Sequence, residues 1–125
     1  MLRAAAALAA LRTSLAVNDP DPEWQTTQRV ARLLADYIER PGPDLADLES
    51  ATGAVESNWN AVAGDSGHPE PTYQAATYAG WTVTCPDDPF NMVHALTGAA
   101  KAVGERRVLD AVREALLPFL HTRDA

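Results

Sequence analysis

The chain has 125 residues, 46% of them hydrophobic, with 17 acids against 10 bases and a single Cys. Such a length holds one hydrophobic core and no second domain, and the apolar fraction excludes wholesale disorder. A net charge of −7 disfavours a surface built to neutralise nucleic-acid phosphates.

The first segment, Leu2 to Leu11, reads LRAAAALAAL. Arg12 cuts this apolar run short, and no small-x-small cleavage pattern follows, so a secretory leader is not expected. No stretch reaches the about 18 apolar residues of a membrane span. Ala4, Leu8, Leu11 and Leu15 instead make a short heptad-like seam. Residues 1–18 read as an N-terminal helix, packed more loosely than the rest. Asn18-Asp19-Pro20-Asp21-Pro22 then breaks the chain, with Asp21 placed to cap a new helix and Pro22 at its first position. Trp24, Thr27, Val30, Ala31, Leu34, Tyr37 and Ile38 share one face of that helix, which stops at Arg40-Pro41-Gly42-Pro43.

The next segment is the most regular. Leu45, Leu48, Thr52, Val55, Trp59 and Val62 follow a 3-4-3-4-3 spacing, a narrow seam of the kind that packs on a neighbouring helix. Asp44, Asp47, Glu49 and Glu56 fall off that seam. A polar loop, Gly64 to Pro71, ends the helix. Residues 72–85 fit two readings. As a helix, Tyr73, Ala76, Thr77, Gly80, Trp81 and Thr84 share a face; as a strand, Ala79, Trp81, Val83 and Cys85 alternate with smaller residues. Nothing else in the chain alternates to pair with a strand, so the helix is preferred.

Asp87-Asp88-Pro89 opens another helix, with Phe90, Val93, Leu96, Ala100 and Val103 as its stripe. Gly104-Glu105 marks a break. Val108, Leu109, Val112, Ala115, Leu116, Phe119 and Leu120 build the last helix, with Pro118 placed to kink or shorten it and 121–125 as a frayed tail. The fold class expected is therefore all-α: one domain over 1–125, a compact bundle of five or six short helices joined by Pro/Gly-rich turns.

The charge has a location. Residues 41–100 carry eight acids and no Lys or Arg, while residues 1–40 are net neutral and 101–125 net +1. Four of the eight aromatic residues lie between Trp59 and Trp81 in the same section, interleaved with Asn58, Asn60 and His68.

Motifs for catalysis are scarce. No Cys/His cluster, His-Glu-x-x-His or Glu-x-x-His pair offers a metal site, and no Gly-rich loop precedes a helix to cradle phosphate. Asp44/Asp47 and Asp110/Glu114 have the spacing of paired carboxylates, but the first pair decorates a helix start and the second sits among Arg106, Arg107 and Arg113. Arg113 and His121 are separated by seven residues including Pro118, a poor match to helical ribonuclease sites with four to six between the pair. Cys85 lies nine residues before His94, yet Asp87 and Asp88 oppose a thiolate, and a small buried Cys is expected. One Cys also fits a reducing cytoplasm. Nine Arg against one Lys and abundant Ala fit a GC-rich bacterial source.

Two function classes remain. In the favoured one the chain is a non-enzymatic binding module of inhibitor, antitoxin-like, immunity-like or adaptor type. It would grip a basic protein surface through Asp44, Asp47, Glu49, Glu56, Trp59, Asp65, Glu70 and Tyr73. In the alternative, a small helical enzyme or ligand binder lines a pocket with Tyr73, Trp81, Asp88 and His94. No cofactor, metal, nucleic acid or membrane is expected, and the Ala/Gly stripe of 95–104 offers a homodimer contact.

Overall fold

A computed structural model describes residues 1–17, 25–42, 45–62 and 70–124. Six helices follow in order: α1 Leu2–Val17, α2 Gln25–Glu39, α3 Ala46–Val62, α4 Glu70–Thr84, α5 Asn91–Val103 and α6 Glu105–Asp124. No strand occurs among the described residues, so the segment with two readings is helical. Asp21, Pro22, Trp24, Asp44, Asp65 and His68 lie outside the described residues, as do the side chains of Val62, Leu120 and His121.

α1 holds the centre and touches α2, α4, α5 and α6. Alanine has the best helix propensity, and its small side chain lets neighbours approach on every side. Ala4, Ala5, Ala6, Ala7, Ala10 and Leu11 are all buried. The loose packing expected of 1–18 is thus corrected. Alanines carry too little hydrophobic contrast to mark a face, yet here they are buried all round.

α4 is the second hub, touching α1, α2, α3 and α5. The hydroxyls of Ser14 and Thr72, both fully buried, hydrogen-bond to each other across the α1–α4 contact. Tyr73 is the largest fully buried side chain, with Leu11, Leu34, Val30, Val55 and Val108 around the same core. Each contributes about 1.5–3 kcal/mol by leaving water. The α3 seam is as expected: Leu48, Thr52 and Val55 are buried, and Leu45 and Trp59 half-buried. Asn58 Nδ2 donates to Thr26 Oγ1 at 3.2 Å and ties α3 to α2.

α5 is rotated from the face its larger residues suggest. Asn91, Ala95, Gly98 and Ala99 are buried, whereas Phe90 is 62% exposed and Val93 46%. Small residues win because they admit the α4 backbone at close range. Of the 95–104 stripe, Ala95, Gly98 and Ala99 are buried within the chain. Asn91 Nδ2 donates to Trp81 O at 3.1 Å and Cys85 O at 3.0 Å, a second donor to carbonyls that also accept the Cys85 and Asp88 N–H groups, and ties the start of α5 to the end of α4. Asn91→Ala is expected to cost about 2 kcal/mol, read from urea unfolding, because two carbonyls lose a nearly buried partner.

Asp88 Oδ1 accepts the Phe90 N–H at 2.9 Å and turns the chain into α5. Gly104 separates α5 from α6 with φ +96°, a left-handed conformation that a side chain resists. α6 touches α1 and α5, buries Val108, and runs helical through Pro118 to Asp124, past the expected frayed end.

One buried group is left over. Thr77 is fully buried and its Oγ1 has no hydrogen-bond partner among the described residues. Thr77→Val replaces that hydroxyl with a methyl of similar shape and is expected to raise stability by about 1 kcal/mol in thermal or urea unfolding.

Candidate functional site

α4 is covered by its neighbours except along one stripe. Glu70, Gln74, Tyr78, Trp81 and Cys85 recur every three or four residues, so they share the side of α4 that turns from the core. Trp59 reaches this stripe from α3, and His94 from α5.

Tyr78 is where the rings meet. Its centroid lies 6.1 Å from Trp59 and 5.1 Å from Trp81, both edge-on, with interplanar angles of 71° and 89°. The His94 imidazole is tilted against it at 4.7 Å and 41°. Each such aromatic contact contributes about 0.5–1.5 kcal/mol beyond buried area, which holds these rings in fixed orientations. Trp59, Tyr78 and Trp81 are half-buried and His94 is exposed. Two polar contacts brace the cluster. Trp59 Nε1 donates to Glu70 Oε1 at 2.9 Å, and Gln74 Nε2 donates to the His94 carbonyl at 3.0 Å.

The acids expected on one face divide into two. At about 100° per residue, Glu49 and Glu56 are seven apart and share a flank of α3, while Asp47 lies about 160° from Glu49. Asp47 instead lines a concavity of about 640 Å³ between α2 and α3, with Asp36, Glu39, Arg40 and Tyr37. Glu49 and Glu56 lie on the Trp59 side, toward α4 and Glu70. Tyr73 leaves the proposed surface altogether, being 1% exposed in the core. From the expected binding set the structure joins Trp59 and Glu70, and it adds Tyr78, whose spacing to Gln74 and Trp81 was the available signal.

The residues of the alternative pocket divide: Trp81 and His94 both pack on Tyr78, while Tyr73 is core and Asp88 is exposed and engaged at the start of α5. Cys85 is exposed just past the end of α4, contrary to the buried thiol expected, because it continues the stripe of α4 that turns from the core. Among the described residues no group of three or more His, Cys, Asp or Glu side chains gathers to hold a metal, and no helix is long and apolar enough to cross a membrane.

Comparison with protein-family models, with curated proteins and with solved structures returned no match. What the chain does must be argued from this surface.

Proposed function

We propose that the chain is a small, non-enzymatic protein-binding module whose α3–α4–α5 face docks a partner with a basic surface. One observation carries the reading: a braced, half-exposed cluster of Trp59, Tyr78 and Trp81 has Glu70 bonded to Trp59, with Glu56 one turn before Trp59 on α3. It sits in a section with no Lys or Arg. Rigid aromatic rings supply contact area at little entropic cost, and the acids steer a cationic partner and repel phosphate backbones. Inhibitor, antitoxin-like, immunity-like and adaptor roles fall within this reading. The lone Cys85 suits a reducing cytoplasm, and the Arg- and Ala-rich composition suits a bacterial source.

The test is capture from native extract on the immobilised full chain, at low and high salt, beside Trp59→Ala and Tyr78→Ala. The retained partner is expected to have a basic surface and to be released at high salt. Each aromatic replacement is expected to weaken its binding by about 2 kcal/mol, near thirtyfold in Kd. Capture that ignores both salt and these replacements sinks the reading.

A further inference from the structure

We infer that the partner is anchored by an arginine, whose guanidinium packs on the exposed part of the Trp59 indole and bonds the Glu70 carboxylate. The inference rests on the docking reading above and narrows it to one contact.

Glu70 is already in position. Its Oε1 accepts the Trp59 indole N–H at 2.9 Å, which fixes the carboxylate at the edge of the indole ring. An ionised carboxylate offers about four acceptor sites, and the indole fills one. A cation arriving here meets an oriented acceptor and a half-exposed indole within one small area. Both Trp59 and Glu70 are half-buried, so water screens the attraction less than on an open surface.

Residues 41–100 contain no Lys or Arg, and Lys101 lies exposed on α5, about two turns past His94. Glu70 also stands in the first turn of α4, where its charge favours the helix dipole. That role explains an acid there; it does not explain why the acid is held against an indole beside a second ring.

Arginine fits better than lysine for a geometric reason. A planar guanidinium can stack on a ring and still present N–H groups in its own plane to a carboxylate. An ammonium is a point charge and must leave the ring face to reach the acid.

The experiment is an NMR titration of the full chain with a short leucine–arginine peptide and, separately, its lysine counterpart. The chain has three tryptophans, so three indole N–H signals report, and Trp59→Phe identifies the one that matters. The arginine peptide is expected to shift the Trp59 indole signal and to bind about two- to fivefold more tightly than the lysine peptide. Glu70→Gln is expected to abolish that preference while circular dichroism shows the helices retained. The peptide comparison on the unmodified chain needs no variant to fold. Equal binding of the two peptides, or a preference that survives Glu70→Gln, overturns the arginine anchor. If salt-sensitive capture persists under that result, the anchor falls and the docking surface stands; if capture fails as well, both fall.

Discussion

Gly98→Ala is expected to destabilise the chain by about 2–3 kcal/mol, while Gly53→Ala is expected to stabilise it by about 0.5–1 kcal/mol. Both glycines sit inside helices, so both replacements gain the same helix propensity. They differ in what the new methyl meets. At Gly53, exposed on α3, nothing lies within 4 Å. At Gly98 a Cβ would lie 2.7 Å from the Pro71 carbonyl oxygen and 2.9 Å from the Ala75 nitrogen. Those are backbone atoms of α4 and cannot turn aside as a side chain can. Relief requires α5 to move off α4, and that contact also carries Gln74, Tyr78 and His94. Urea unfolding of the two variants measures the difference. Gly98→Ala should also weaken the Tyr78–His94 ring contact, visible as a change in the His94 proton resonances. Equal stability of the two variants would show that α4 and α5 are not in backbone contact.

That contact also shows which parts of the fold the sequence reveals and which it hides. The α3 seam is legible because Leu48, Thr52 and Val55 are large, evenly spaced and set against polar residues. α1 and α5 are helices on sequence grounds, but their faces are not legible. Their buried residues are chiefly alanine and glycine, and their value lies in how near a neighbour can come. Periodicity analysis weights large apolar residues, so on α5 it chooses Phe90 and Val93, which face outward. The fold class survives such errors because it needs only the number and kind of elements.

The site is less legible for a geometric reason. Nearness in sequence suggested one acidic face, yet two residues along a helix turn Asp47 and Glu49 to nearly opposite flanks. Tyr73 and Tyr78 are a similar pair, five apart on α4 and about 140° apart around it. One is the largest fully buried side chain and the other the centre of the half-buried ring cluster. The ring cluster itself draws on α3, α4 and α5, so no local spacing encodes it. What the sequence did disclose was the section without Lys or Arg, because charge is counted without knowing the fold.

Gly80→Ala is the second large effect, and here the obstacle is a side chain, so a second replacement can relieve it. A Cβ at Gly80 would overlap Thr52 Oγ1 outright and lie 2.8 Å from its Cγ2 and 3.0 Å from its Cβ. Thr52 is 1% exposed, and its hydroxyl donates to Leu48 O at 2.7 Å. Turning its χ1 does not clear the space, because moving the oxygen away leaves the equally obstructive methyl in the stiff β-branched side chain. Gly80→Ala alone is therefore expected to cost about 2–3 kcal/mol. Thr52→Ala alone removes a buried methyl and a hydroxyl, at about 1–2 kcal/mol. Together they should cost less than their sum by about 1–2 kcal/mol, because the second replacement removes the atoms that the first collides with. The double variant should then be about as stable as Gly80→Ala, whereas two independent losses would leave it about 1–2 kcal/mol less stable. Additivity within about 0.5 kcal/mol would mean that α3 and α4 separate to admit the new methyl. In that case Thr52 is a passive neighbour, and the close α3–α4 approach that sets Trp59 beside Tyr78 depends on other contacts.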